Sequence, residues 1–218
     1  MTAYDESVLL PYVPVLATTW LEESPEETSR VLEGTLAFVD ISGFTSLTEK
    51  LAVRGKAGAE EMTGYLNETF AELLSIAYEN GAELMKWGGD AVLLWYSGES
   101  HAARASDAAW RMQHIMRRIG QLKTSSGRAI LRMSVGIHTG VFHFFLVGSL
   151  HKELIIAGPS ATATAHLEGV AEAGEIVISH ETARQLPPKA VGPAKADGIL
   201  VASATGLTLP ATSRWPER

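Results

Sequence analysis

The sequence predicts a single mixed α/β domain. Short apolar strand-like runs alternate with longer helical runs, glycine-containing turns separate several strands, and 46% apolar content over 218 residues can fill one core. Residues 1–33 mix Pro, Glu and Ser with a few aromatics and read as an extended lead-in segment that packs on the following domain. The domain itself is expected over 34–186, beginning near Gly34. The Ala-, Gly-, Pro- and Thr-rich stretch 187–218 reads as a tail or linker, with weak strand patterns at Ile199 to Val201 and Leu207 to Leu209.

The elements follow in order. Thr35 to Val39 is a short buried-strand pattern, broken by Ser42-Gly43 before helical spacing over Phe44 to Leu51 and Gly58 to Tyr78. In the second helix Met62, Leu66, Phe70, Leu73, Leu74 and Ala77 recur every three or four residues, so one face turns to the core. Glu83 to Lys86 and Ala91 to Tyr96 are strand-like runs joined by Trp87-Gly-Gly-Asp90, whose glycines allow the positive φ of a hairpin turn. Ala102 to Ile119 is helical, and its basic end at Arg117-Arg118 suits a helix C-terminus. Leu131 to Ile137 and Val141 to Val147 read as an antiparallel pair of strands separated by His138-Thr139-Gly140, followed by a third strand at Glu153 to Ala157. Thr162 to Ala171 has helical composition, Glu175 to Ile178 is a short strand, and His180 to Leu186 a last short helix.

Composition removes several function classes. A net charge of −7 with scattered Lys and Arg leaves no basic face for nucleic acid or anionic lipid. There are no cysteines, which excludes disulfides, thiolate catalysis and Cys-type zinc sites, and the histidines lack metal-ligand spacing. Any metal is therefore expected to be held by oxygen. The apolar run from Val8 to Trp20 is broken by Pro11 and Pro14, which suits neither a signal peptide nor membrane insertion, so a cytoplasmic location is expected.

Two carboxylates stand out. In Phe38-Val-Asp-Ile-Ser-Gly-Phe-Thr45, Asp40 ends an apolar strand just before a glycine turn into a helix. Free amides at a helix start attract phosphate, and a strand-end carboxylate can hold a hard cation that bridges those phosphates. Alone, Asp40 reads first as a cap of the following turn. Asp90 sits in a glycine hairpin four residues after Lys86, and alone reads equally as a turn residue. Paired on adjacent strands, the two have the donor set for two divalent ions about 4 Å apart, as used for in-line displacement at phosphorus.

Taken together, Phe38 to Thr45, Lys86-Trp-Gly-Gly-Asp90 and Gly136-Ile-His-Thr-Gly140 resemble, in order and separation, the class III adenylyl and guanylyl cyclases. The likeness covers about 34–186. It is strongest to the first catalytic half of bicarbonate-regulated soluble adenylyl cyclases, with Thr48-Glu-Lys50 included. The resemblance implies a ferredoxin-like α+β domain, with a mainly antiparallel sheet and flanking helices, that forms a head-to-tail dimer with a second cyclase domain around the nucleotide. It also implies conversion of ATP, or GTP as the less favoured substrate, to a 3′,5′-cyclic nucleotide. By position, Asp40, Asp90 and the Ile41 carbonyl would hold two Mg or Mn ions, and Gly43, Phe44 and Thr45 would bind triphosphate.

The chain departs from the active homodimeric pattern at Gly158-Pro-Ser-Ala-Thr-Ala-Thr-Ala-His166. Pro159 stands at the base-selecting position, Thr162 where the family has the ribose-orienting Asn, and His166 where it has the transition-state Arg. Loss of one such group commonly costs roughly two to three powers of ten in rate. A homodimer is therefore expected to be weak or inactive, and the chain to act as the metal-donating half beside a complementary domain. The remaining second cleft would be lined by Lys86, Pro159, Thr162 and His166. Ala165 stands where the soluble family places the arginine near bicarbonate, so the resemblance does not carry bicarbonate control with it. Two rival readings remain. One is an inactive cyclase-homology module for dimerisation and signal relay. The other is a different phosphoryl transfer on a similar sheet, which the helix-start turn and Gly136 to Gly140 disfavour. Trp87, Trp95 and Phe142-His-Phe-Phe145 are read as core or interface packing, and His138 as a structural turn residue.

Overall fold

The computed structural model describes residues 13–207. They run in the order α1 (Val15–Glu23), β1 (Ser29–Ser42), α2 (Phe44–Ala52), α3 (Lys56–Glu79), β2 (Glu83–Gly88), β3 (Ala91–Tyr96), α4 (His101–Ile119) and β4 (Gln121–Thr124). Then follow β5 (Gly127–Ile130), β6 (Arg132–Val147), β7 (Glu153–Ala157), α5 (Pro159–Val170), β8 (Ile176–Ile178), α6 (His180–Ala183), β9 (Val191–Lys195) and β10 (Gly198–Val201). Among the described residues eight strands form one sheet, β2-β3-β1-β6-β8-β10-β9, with β7 on the far half of β6, and β4 and β5 form a separate hairpin. Every pairing is antiparallel except β6 with β8. This is the expected mixed α+β fold, mostly antiparallel with flanking helices.

The spine is the pair β1 and β6, in register from Ser29↔Phe145 to Ser42↔Arg132. The hairpin expected at His138-Thr139-Gly140 is absent, because these residues lie in mid-strand and β6 is continuous. A turn there would forfeit ladder bonds to β1, and nothing nearby would replace them. Side chains hold the straight course as well. Thr139 Oγ1 lies 2.7 Å from Thr35 Oγ1 and accepts from Thr182 at 3.0 Å, and Thr35 Oγ1 lies 2.7 Å from His101 Nδ1. Four buried or half-buried polar groups thus satisfy one another across α4, the sheet and α6.

Residues alternate faces along a strand, so β1 and β6 sort the core into two layers. One face packs Val39, Ile41, Val135 and Ile137 against Leu47 and Leu51 of α2, Phe70, Leu73 and Ala77 of α3, and Ala105, Ala108 and Met112 of α4. Alanine on the sheet-facing side of α4 lets that helix lie close. Arg104 pins it there, donating to the carbonyls of Asn80 at 3.0 Å, Glu99 at 3.0 Å, Gly81 and Ser97. The other face gathers Trp20, Leu36, Met85, Trp95, Phe142, Phe144 and Leu146.

In that second layer the described part of the lead-in segment packs on the domain, but as a helix rather than as extended chain. Val15–Glu23 is helical, with Pro14 at its N-cap. Ala17 and Trp20 are buried, because a helix puts them with Leu16 and Leu21 over the apolar sheet face. Arg30 stacks over the Trp20 ring at 4.8 Å. The first twelve residues, including Val8 and Pro11, lie outside the described residues, as do Thr208 and Leu209 of the weak C-terminal strand pattern. The sheet also runs past both ends of 34–186. β1 begins at Ser29, and β9 with β10 brings Val191–Lys195 and Gly198–Val201 alongside β8.

Candidate functional site

Asp40 stands near the end of β1, flanked in register by Ala91 on β3 and Ser134 on β6. It shares parity with Leu36, so its side chain belongs to the α1 face of the sheet. Asp90 is the turn residue of the β2–β3 hairpin, which Gly89 closes with φ +77°. The Ile41 amide donates to the Asp90 carbonyl at 3.1 Å, so the strand end and the hairpin tip are clasped together. The clasp leaves the two carboxylates close enough to repel. The Asp40 carboxyl is held above the ordinary carboxylate range by burial first, then by Asp90, then by Glu168. Among the described residues no cationic side chain pairs with any of the three.

The turn after Asp40 is set by Gly43. Its φ is +105°, and an added Cβ would lie 2.5 Å from the Ile130 carbonyl oxygen, so both conformation and space demand glycine. α2 starts at Phe44, and its first intrahelical bond is Leu47 N–H to the Gly43 carbonyl at 3.0 Å. The amides of Phe44 and Thr45 therefore have no acceptor within the helix. Phe44 is buried and stacks on Phe70 with ring centroids 6.2 Å apart, which fixes the helix start, and Thr45 is exposed. The turn that carries Gly43, Phe44 and Thr45 thus follows Asp40 directly along the chain.

The four residues expected in a second cleft are not all together. Pro159, Thr162 and His166 line one hollow with His138, Ser179, Glu181 and Asp197. Lys86 is not in that lining, and its ammonium donates to Glu153 of β7 at 2.7 Å. Pro159 opens α5, Thr162 donates to the Gly158 carbonyl at 3.2 Å, and His166 Nε2 lies 3.0 Å from Asp197 Oδ1. His138 is not a turn residue as expected but a strand residue, 9% exposed, with Nδ1 lacking a hydrogen-bond partner. Burial pushes its imidazole below the usual value, against the pull of Glu181. Of the aromatics, Trp95, Phe142 and Phe144 are core, whereas Trp87 and Phe145 are exposed at 46% and 36%.

Glu168 joins the neighbourhood of Asp40 only in the folded chain, through the Ser134 hydroxyl. Its sequence signal is weak: an acidic residue four positions after Thr164, on a helix whose composition does not mark a sheet-facing side. Among the described residues no three His, Asp or Glu side chains are grouped to ligate a common ion. No described helix is long and apolar enough to cross a membrane.

A family model described as the adenylate and guanylate cyclase catalytic domain matches residues 26–205. Adenylate cyclase type 10 of Mus musculus is 24% identical over 161 residues, 72% of this chain and 10% of that protein. A membrane guanylyl cyclase of Dictyostelium discoideum is 28% identical over 172 residues, 76% of this chain and 11% of that one. The chain thus spans about a tenth of the length of these curated relatives. The crystal structure of the adenylyl cyclase CyaB from P. aeruginosa superposes with a TM-score of 0.64 at 25% identity, covering 80% of this chain and 94% of that one.

Proposed function

Since the chain belongs to the adenylate and guanylate cyclase catalytic-domain family, we propose that it is the metal-donating half of a cyclase. It converts ATP to 3′,5′-cyclic AMP and pyrophosphate in a cleft shared head to tail with a complementary cyclase domain. The observation that carries this reading is the clasp between Ile41 and the Asp90 carbonyl, which sets two mutually repelling carboxylates beside a left-handed glycine turn and its free amides.

Two hard-oxygen side chains without a cationic partner among the described residues are a donor set suited to a divalent ion, whose charge would relieve the repulsion that raises Asp40. Asp40, Asp90 and the Ile41 carbonyl would hold two Mg or Mn ions, which when bound acidify the ribose 3′-hydroxyl and neutralise phosphate charge. Gly43, Phe44 and Thr45 present amides to the triphosphate, and the rigid start of α2 keeps them in place without reorganisation. Pro159, Thr162 and His166 are poor substitutes for base-selecting, ribose-orienting and charge-stabilising groups, so those groups come from the partner. ATP is favoured over GTP on the likeness to adenylyl cyclases.

A second reading, a non-catalytic module for dimerisation and signal relay, is favoured by one observation. His166 is engaged with Asp197 rather than projecting free. Mixing the chain with a complementary half and Mg-ATP decides between the two. Cyclic AMP formation that disappears in Asp40→Ala and Asp90→Ala supports the enzyme. No product with any complementary half, or full activity in both variants, supports the module.

A further inference from the structure

Glu168 has no place in the reaction just described, yet the fold brings it to the same spot. Ser134 is the cross-strand register partner of Asp40, so the two side chains stand next to each other on one face of the sheet. Ser134 Oγ donates to Glu168 Oε1 at 3.0 Å, which fixes the Glu168 carboxylate over the neighbour of Asp40. The approach of α5 that makes this contact depends on Gly136, two residues along the same face. A Cβ there would overlap the Glu168 amide nitrogen and lie 2.6 Å from the Thr164 carbonyl oxygen. A glycine in β6 therefore lets the helix settle on the strand, and the helix delivers a third carboxylate to the pair formed by Asp40 and Asp90.

We propose that Glu168 is a positioning residue of the divalent-metal site, acting through metal-bound water from α5, with Ser134 holding its carboxylate in place. This rests on the cyclase reading of Asp40 and Asp90. Action through water suits a carboxylate that is held over Ser134, the neighbour of Asp40, rather than on Asp40 itself. A carboxylate beyond direct reach still accepts hydrogen bonds from coordinated water and orients it, as outer partners of metal sites do. A further carboxylate held beside the register partner of Asp40 adds negative charge at the place where a cation would sit, and so strengthens its attraction.

The test is Mn²⁺ binding to the full chain without nucleotide, by calorimetry and by the paramagnetic resonance signal of free Mn²⁺. It compares the parent with Glu168→Gln, Ser134→Ala and Asp90→Asn. Glu168→Gln keeps an acceptor for Ser134, so the fold is retained while the charge is lost, and Mn²⁺ affinity should fall about five-fold, an effect that shrinks with added salt. Ser134→Ala keeps the charge but frees the carboxylate, and should cause a smaller loss. Asp90→Asn should abolish high-affinity binding. Parent-like Mn²⁺ affinity in Glu168→Gln, with binding lost in Asp90→Asn, overturns the role of Glu168 and leaves the cyclase reading standing. A parent that binds no Mn²⁺, or binding indifferent to Asp90→Asn, overturns both.

Discussion

Replacing Asp40 by Asn should make the metal-free chain more stable while removing its response to metal. Asp40 is half-buried, faces Asp90 and Glu168, and has no cationic side-chain partner among the described residues, so the folded state holds its charge at a cost. Like-charge repulsion between neighbouring carboxylates, at a dielectric between interior and water, is on the order of 1 kcal/mol. Because the site is partly open, screening reduces the gain from removing that charge to about 0.5–1 kcal/mol. For a chain of this size that is a rise in Tm of roughly 1–4 °C. The pH dependence has a definite sign. Burial and repulsion raise the folded carboxyl above its unfolded value, so the penalty is full above the raised value and fades as pH falls through it. The advantage of Asp40→Asn should therefore be greatest at neutral pH and shrink in acid. Differential scanning fluorimetry in EDTA and in Mn²⁺ reads both effects, with Mn²⁺ raising the Tm of the parent far more than that of the variant. An Asn variant less stable than the parent in EDTA, or an equal Mn²⁺ shift in both, would refute the account of the site as a strained anionic pair awaiting a cation.

Four further outcomes follow from the fold. Gly43→Ala, forced to φ +105° with its methyl against the Ile130 carbonyl, should cost about 2–3 kcal/mol in chemical denaturation, and an unchanged midpoint would mean the turn does not require that conformation. Trp20→Ala should cost about 3–5 kcal/mol, because the ring is fully buried between α1 and the sheet, and a loss below about 1 kcal/mol would make α1 peripheral. His101 and His138 are both pushed below the ordinary imidazole value, chiefly by burial, so stability should fall as pH drops below about 6.5 toward their folded values. His138→Leu should flatten that acid limb in pH-dependent denaturation, and an unaltered limb would remove His138 as a cause. Lys86→Ala breaks an exposed pair with Glu153 and should change stability by less than about 0.5 kcal/mol.

Much of the site was legible because it is local. The spacing of Asp40 to Gly43 encodes a strand end and a left-handed turn, and Trp87 to Asp90 encodes a hairpin. The apolar stripe of α3 and the strands flanking Asp90 were equally plain, since hydrophobic period reports which side of an element is buried. Period misled where two signals competed. Gly140 after His138 resembles a turn, yet pairing with β1 along the whole strand outweighs one glycine without positive φ. The β4–β5 hairpin was missed because its strands have only four residues each, too few to show a period.

From sequence alone came the family likeness, the two carboxylates with the glycine turn, and the departures at Pro159, Thr162 and His166, all of which are properties of chemical identity and short spacing. Tertiary structure alone decided that Trp20 closes the second face, that β9 and β10 join the sheet, that Lys86 pairs with Glu153 away from His166, and that Glu168 reaches the partner of Asp40. The reason is physical. A residue's own neighbours determine how the backbone turns and which way a side chain points, but what lies opposite is settled by strand register and helix docking, which minimise exposed apolar surface over the whole chain.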